Sequence, residues 1–298
     1  MRPLVRAAAA AALALLTACS SPRSAAVDAD AAPPSETGAD AAAEHDTVRT
    51  AEAVILAGTD AAPTRELATL DQAPPADDRL DRIALLALID RLCVDHEPRE
   101  VVALDGTGMA PMPATEAQRV ERAVARQDAA KRWAADLDDE QAASWFGRRL
   151  AYEGRYHDAV LAFTTALQRF PDSERLLRHR GHRFITVRRF ARAEADLRRA
   201  AAVMRGVPDE TEPDGQPNAQ NIPRSTRHGN VLYHLGLSLY LQGSFREASA
   251  RWVAGLENAE NDDSIVSMAW WAWLAARRAG VSAERAAQLL DGVHEDMD

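Results

Sequence analysis

Residues 145–173 of this 298-residue chain read WFGRRLAYEGRYHDAVLAFTTALQRFPDS. Apolar and small residues recur every three or four positions on both sides of the turn Glu153-Gly154-Arg155, which is the spacing of one helix face. Pro171 cannot continue a helix, so it marks the end of the second segment. The stretch therefore predicts two amphipathic helices joined as a hairpin.

The same pattern returns directly after this hairpin, with a constant offset. The equivalent pairs are Gly147 and Gly181, Tyr156 and Phe190, Ala159 and Ala193, Phe163 and Leu197, and Ala166 and Ala200. A fixed period of about 34 residues is typical of solenoids built from stacked supersecondary units. A third copy occupies residues 229–259, where Gly236 takes the place of Gly181, and a looser fourth hairpin spans residues 264–294. The third copy follows the second by more than one period, so an insertion separates them.

In spacing and residue type these copies resemble tetratricopeptide (TPR) repeats. The stretches RHRGHRF, EPDGQPNAQNIPRST and YHLGLSLYLQGSF are also similar to blocks found together in a group of bacterial TPR proteins. The resemblance covers about residues 140–298. It implies an all-α, TPR-type helical-hairpin superhelix with three clear repeats, a degenerate fourth, and an insertion loop at residues 208–228.

The N-terminus predicts an export signal. In residues 1–18 two arginines precede a short apolar stretch, and the stretch is too short to span a bilayer, which takes about 20 apolar residues. Leu16-Thr17-Ala18-Cys19 resembles the bacterial lipobox, which implies cleavage before Cys19 and lipid on its sulfur. Ser20 replaces the Asp typical of inner-membrane retention, and this favours the outer membrane of a Gram-negative envelope.

Residues 19–78 follow as a separate region. They carry twelve acidic residues and three arginines, with one apolar cluster at Val54-Ile55-Leu56. Low hydrophobicity combined with charge of one sign predicts a disordered tether. The whole chain has a formal charge of −10, which disfavours a generic nucleic-acid binder because such proteins are net basic.

Residues 79–139 predict an N-terminal helical cap. Helices are expected over residues 79–94 and 115–137, and no aromatic residue precedes Trp133 in the chain. A second, independent core in this region would therefore contain few aromatic side chains. We interpret the region as a cap that covers the open face of the first repeat.

A concave groove is the candidate binding site. In TPR proteins the first helix of each pair lines the concave surface, and the register places six groove-binding side chains there: Arg148, Tyr152, Arg175, Arg178, His182 and Tyr233. Arginine clusters suit bidentate recognition of carboxylate or phosphate. A solvated charged face in an arginine-rich chain explains the same pattern equally well.

Three further patterns are weaker candidates for ligand sites. His179 and His182 are spaced like metal ligands, but the surrounding arginines would repel a cation, so no metal is expected. The acids of the insertion echo a calcium loop without its bidentate Glu. The tryptophans near residue 271 could stack on a glycan, although Trp at helical spacing more often packs in a core.

The sequence offers no nucleophile–base pair and no glycine-rich phosphate loop. We therefore expect no enzyme and no cofactor. The pattern favours a lipid-anchored TPR adaptor of the bacterial cell envelope that holds a protein or peptide partner in an Arg/Tyr-lined groove, with no nucleic acid involved. The alternative is a solute-binding lipoprotein for an anionic or glycan ligand. We also expect the acidic insertion to border the groove and screen its arginines.

Overall fold

The structure, a computed structural model, describes residues 82–96, 98, 101–103, 105–111, 113–212, 218, 219, 221, 223–257, 259, 261–294 and 297. The predicted signal peptide, Cys19 and the predicted tether therefore lie outside the described residues. The described residues are mostly helical, which confirms the all-α class. Their helices are α1 (Arg82–Cys93), α2 (Glu116–Ala135), α3 (Glu140–Tyr152), α4 (Tyr156–Arg169), α5 (Glu174–Thr186), α6 (Phe190–Val203), α7 (Arg227–Leu241), α8 (Phe245–Leu256), α9 (Asp262–Arg278), α10 (Ala283–Ala287) and a 3-10 turn (Gln288–Leu290).

The described chain divides into two compact units. The first contains residues 82–208 and 237–242, and the second contains residues 209–236 and 243–297. In the first unit α2 packs on α3, α3 on α4 and α5, α4 on α5, and α5 on α6. In the second unit α8 packs on α9, and α9 packs on α10 and the 3-10 turn.

The first helix of each hairpin begins at a side-chain cap. Asp139, Ser173 and Asn261 each accept a hydrogen bond from the backbone N–H three residues later, and Thr226 does the same for Gly229 at 3.1 Å. Such caps satisfy N–H groups that have no partner within the helix. Four helix starts are therefore encoded locally in the sequence.

The second helix of each hairpin follows a left-handed turn residue. Gly154, Arg188, Gly243 and Gly280 have φ of 79°, 61°, 82° and 87°. After three of them the next N–H donates to the carbonyl five residues back: Arg155 to Leu150 at 3.0 Å, Arg189 to Phe184 at 2.8 Å and Val281 to Ala276 at 3.0 Å. This bond is the signature of a Schellman C-cap, which favours glycine at the left-handed position.

Arg188 is the exception among the four turns, because it adopts a left-handed conformation as an L-residue with a Cβ. We expect Arg188→Gly to raise the free energy of unfolding by about 0.5–1 kcal/mol, since relief of about 1–2 kcal/mol of strain exceeds the added chain entropy of glycine. Denaturant unfolding checks this. The matched control is Arg189→Gly, where φ is −95°; stabilisation by both substitutions would contradict the explanation.

Each of the first three hairpins closes around a glycine. A Cβ at Gly147 would lie 2.4 Å from Phe163 Cε1, one at Gly181 would lie 2.8 Å from Leu197 Cγ, and one at Gly236 would lie 2.5 Å from Trp252 Cε2. The backbones of paired helices thus approach as closely as the facing side chain permits. Phe163, Leu197 and Trp252 are all buried, so these contacts form the centre of each hairpin.

The N-terminal region contains one element that the sequence did not predict. The two expected helices are present as α1 and α2, with Thr115 and Gln118 forming a reciprocal capping box on α2. Between them, β1 (Val101–Val102) pairs antiparallel with β2 (Gly108–Met109). Two-residue strands leave no alternating pattern to read, which explains why the sequence predicts a purely helical cap.

The two ends of the insertion are hydrogen-bonded to each other within the second unit. Thr211 bridges Thr226, Glu212 N–H donates to the Ser225 carbonyl at 2.9 Å, and Arg227 N–H donates to the Glu210 carbonyl at 2.9 Å. Helix α7 begins at Arg227, so the helix starts just before the predicted end of the loop.

Candidate functional site

The six predicted groove residues fall into both units. Arg148 and Tyr152 lie on α3, and Arg175, Arg178 and His182 lie on α5, which packs against α3 in the first unit. Tyr233 lies on α7 in the second unit. We define the α3–α5 face by the first five of these residues together with Trp145.

Helix α3 carries an arginine held by two aromatic rings. The Arg148 Cζ atom lies 4.0 Å from the centroid of the Trp145 ring, and its Nη2 and Nε atoms donate to the Tyr152 hydroxyl at 3.0 and 3.3 Å. The Arg149 Cζ atom lies 4.9 Å from the same Trp145 ring. Spacings of three, four and seven residues place Trp145, Arg148 and Tyr152 on one side of the helix. The guanidinium of Arg148 is therefore oriented before any ligand arrives.

Helix α5 contributes a buried arginine and a buried imidazole. Arg178 is 8% exposed, and its Nη2 atom lies 3.2 Å from His179 Nε2. Arginine cannot accept a hydrogen bond, so Nε2 is the acceptor and the imidazole is neutral with its proton on Nδ1. The ring of His179 stacks on Phe163 with 5.8 Å between centroids. His179 is thus a positioning partner of Arg178.

The electrostatic environment of His179 is positive. Burial lowers its pKa well below 6.5, and the charges of Arg178, Arg148, Arg183 and His182 lower it further. All four neighbours act in the same direction, because each disfavours a second positive charge. The buried part of the α3–α5 face around His179 is therefore a region of positive potential.

This depressed pKa has a consequence for stability. Below about pH 6.5 the unfolded chain takes up a proton at His179 that the folded chain does not, so the contribution is full above that pH and is lost as the pH falls. Relative to His179→Phe, which keeps a ring against Phe163, the wild type should lose up to about 1.4 kcal/mol of unfolding free energy per pH unit below about pH 6.5. Denaturant unfolding at about pH 7.5 and about pH 5.5 measures the difference; a constant difference would contradict a neutral His179.

The remaining predicted residues have different surroundings. Arg175 and His182 are half-buried on α5. The Tyr233 carbonyl accepts from Trp252 Nε1 at 3.2 Å, and its hydroxyl accepts from Trp271 Nε1 at 3.1 Å. Trp271 also stacks on Trp252. Tyr233 is therefore built into the aromatic packing of the second unit.

The acids of the insertion are engaged at the start of α7. Asp209 accepts from the Thr226 hydroxyl at 2.7 Å and from the His228 N–H at 2.9 Å. Glu210 accepts from Arg227 at 3.0 Å, while Asp214 lies outside the described residues. A carboxylate at a helix N-terminus complements the helix dipole. That the insertion borders the groove remains a prediction.

Trp145, Arg149, Arg183 and His179 were not among the predicted site residues. Trp145 precedes Arg148 by three and Tyr152 by seven residues, and this spacing was the available signal. The sequence pattern presents His179 only as a candidate metal ligand. The partners of a buried histidine depend on packing between α4 and α5, which the sequence does not specify.

No family model, curated protein or solved structure matches the chain. Among the described residues, no three His, Cys, Asp or Glu side chains come together as metal ligands. None of the described helices has the length and apolar character needed to cross a membrane. The class that the structure defines is thus an all-α protein of successive helical hairpins with an arginine–aromatic face.

Proposed function

We propose that the protein is a non-enzymatic TPR-type adaptor that binds a protein or peptide partner on the α3–α5 face. The observation that carries this proposal is the cluster of Trp145, Arg148 and Tyr152. Tryptophan, tyrosine and arginine are the residues that dominate binding energy at protein interfaces. Here they are held together by a 4.0 Å cation–π contact and two hydrogen bonds, so little side-chain entropy remains to be lost on binding.

The repeat resemblance supports the TPR part of the proposal. Hairpins α3–α4 and α5–α6 place a glycine, its facing side chain and a left-handed turn residue at equivalent positions of the repeat. Hairpin α7–α8 has the same arrangement after the insertion, with Gly236 facing Trp252 and Gly243 at the turn. Three clear units and a shorter fourth, in which α10 has five residues, form the proposed superhelix.

Positive potential specifies the partner's chemistry. Arg148, Arg178 and Arg183 all depress the pKa of His179, so an anionic group at the face would be stabilised. The fork of arginine suits carboxylate and phosphate. We propose a partner that presents an acidic segment, and its binding should weaken as salt increases.

The site is tested by crosslinking in intact host cells. A photoreactive amino acid at Gln141, an exposed position on α3, should capture one specific envelope protein. Arg148→Gln should reduce capture by about tenfold or more, because truncating an interface hot spot costs about 2 kcal/mol or more. Arg119→Gln on α2, an exposed arginine paired with Glu116, is the matched control. Equal capture by both variants would exclude the α3–α5 face.

We propose the cellular location from the lipobox, and this proposal is independent of the one for the α3–α5 face. Lipidation of Cys19 would anchor the adaptor in the bacterial cell envelope, with the outer membrane favoured in a Gram-negative host. Cys19→Ser should release the protein from the membrane fraction or leave it unprocessed. Unchanged partitioning and processing would refute the anchor and leave the adaptor proposal standing.

A solute-binding lipoprotein is the second candidate. Trp270 and Trp273 stack on each other at 4.9 Å between centroids and are only half-buried. Aromatic faces of this kind bind sugars. Thermal stabilisation by glycans or small dicarboxylates, with no protein captured at Gln141, would favour this candidate over the adaptor.

A further inference from the structure

The turn between α5 and α6 differs from the other hairpin turns in its charges. Its arginines are Arg188, Arg189 and Arg192, which are all exposed, and we call them the arginine turn. In the other three turns the residue equivalent to Arg188 is glycine, and the residue four positions later is an acid: Asp158, Glu247 and Glu284. Among the described hairpins, α5–α6 alone combines an arginine at the turn with an arginine in place of that acid.

Arginine is locally unfavourable at two of these positions. Arg188 has a φ of 61°, a left-handed conformation that strains a residue with a Cβ. Arg192 lies in the first turn of α6, which contains no acid, and a positive charge near a helix N-terminus opposes the helix dipole. Strain and broken local preferences that persist in a fold are typical of functional positions. An interaction outside the hairpin therefore explains the two arginines better than the stability of the hairpin does.

None of the described acids forms an ion pair with the arginine turn. The two acids that follow it in α6 are engaged elsewhere, because Glu194 accepts from Arg198 at 2.9 Å and Asp196 accepts from Arg180 at 2.7 Å. The Arg192 Cζ atom lies 5.9 Å from the centroid of the Phe184 ring, which leaves its charge in place. The turn thus presents three positive charges to its surroundings.

The shape of the turn selects the kind of partner. Four of the five residues from Arg188 to Arg192 are exposed, so the turn is a tip rather than a cleft. Small-molecule sites are concave, whereas a tip fits an extended surface. A membrane that contains anionic lipids has a negative surface potential, which attracts arginine and lysine within a Debye length of it. Guanidinium groups also pair well with phosphate oxygens.

We propose that the arginine turn contacts the anionic phospholipid headgroups of the membrane in which the protein is anchored. The proposal rests on the proposed lipid anchor at Cys19, which would keep the turn at a high effective concentration near that membrane. The contact is electrostatic, so it weakens as salt increases. It is independent of partner binding on the α3–α5 face.

A chemically placed anchor tests the contact independently of lipidation in the cell. In the full chain with Cys93→Ser, the Cys19 sulfur is coupled to a maleimide lipid in vesicles, and a fluorescent amino acid replaces the exposed Ala191. Energy transfer to headgroup-labelled lipid should be stronger in vesicles rich in phosphatidylglycerol than in vesicles of phosphatidylcholine alone. Arg188→Gln with Arg192→Gln should lower the ratio of docked to free turn by about thirtyfold, because each basic residue contributes about fivefold at an anionic surface.

Two further variants identify what the arginines recognise. Arg188→Lys with Arg192→Lys should retain the contact, because an anionic surface attracts both kinds of cation. Arg132→Gln with Arg205→Gln removes the same charge from exposed positions outside the turn and should have little effect. Equal transfer in the two kinds of vesicle, or an equal loss in this control, would overturn the proposal. So would loss of contact in the lysine variant, because a requirement for the arginine fork would assign the turn to a protein partner. None of these results depends on the cellular fractionation of Cys19→Ser, so the anchor and the contact can fail separately.

Discussion

Replacing Arg126 by Ala is expected to lower the free energy of unfolding by about 3–5 kcal/mol, the cost of breaking a buried ion pair from one side. The Arg126 side chain is fully buried, and its Nε atom lies 2.9 Å from both carboxylate oxygens of Glu153. Its other nitrogens donate to the Cys93 carbonyl and to Asp95. The substitution would leave a largely buried carboxylate and a helix-end carbonyl without their partner.

Arg126 joins three parts of the first unit. Burial lowers its pKa, but the hydrogen bond to Glu153 and the charges of Glu153 and Asp95 more than compensate, and the pKa is raised overall. Arg155 contacts the same end of α1: its Nη2 atom donates to the Leu92 carbonyl at 2.8 Å and its Nη1 atom donates to the Val94 carbonyl at 3.1 Å. Two arginines thus satisfy the last carbonyls of α1, where positive charge is favoured by the helix dipole.

The size of the effect is measured by denaturant unfolding. Arg119→Ala, on the same helix but exposed, is the control and should cost about 0–1 kcal/mol. Arg126→Met combined with Glu153→Leu should be less destabilising than Arg126→Ala, because it removes both charges and leaves neither unpaired. If Arg126→Ala and Arg119→Ala have equal effects, the network does not hold α1 in place.

The hairpins could be predicted from sequence because their signals are local. Gly154, Gly243 and Gly280 mark turns, and Asp139 and Ser173 mark helix starts within a few residues. The same register predicted that Arg148 and Tyr152 share one side of α3, and their hydrogen bonds confirm that they are neighbours.

The network around Arg126 and Arg155 could not be predicted. It joins residues that are far apart in the chain, such as Arg155 and Leu92. Nearly all of the basic residues are arginine, and nothing in the pattern distinguishes a buried one from a solvated one. Arg188 takes the turn position that Gly154 occupies one repeat earlier, so the register locates the turn, but the local preference of arginine does not indicate a left-handed residue there. Both features depend on tertiary packing, which overrides local preference.

The largest effects after Arg126 are expected where glycine faces an aromatic ring. At Gly147 a Cβ would lie 2.4, 2.6 and 2.8 Å from three atoms of Phe163. That ring is buried and stacked on His179, so it has little freedom to move. At Gly236 a Cβ would lie 2.5 Å from Trp252, whose ring is stacked on Trp271 at 5.3 Å.

Gly147→Ala and Gly236→Ala should each lower the unfolding free energy by about 2–3 kcal/mol. Overpacking against an immobile ring costs about 3 kcal/mol or more, and the better helix propensity of Ala returns about 1 kcal/mol. Gly181→Ala should cost less, about 1–2 kcal/mol, because the nearest atom of the buried Leu197 lies at 2.8 Å and has to shift by a smaller distance than either ring. Gly292→Ala has open space around the new methyl group and serves as the unstrained control.

The order of these effects distinguishes helix packing from a general intolerance of substitution. If the facing side chain sets the cost, Phe163→Leu should rescue part of the loss in Gly147→Ala, because the new methyl group then faces leucine, as it would in Gly181→Ala. The two changes would then be non-additive, as expected for residues in contact. Denaturant unfolding of the two single variants and the double variant measures the coupling directly. Strict additivity, or equal losses at Gly147, Gly181 and Gly292, would show that close approach at these glycines does not hold the hairpins together.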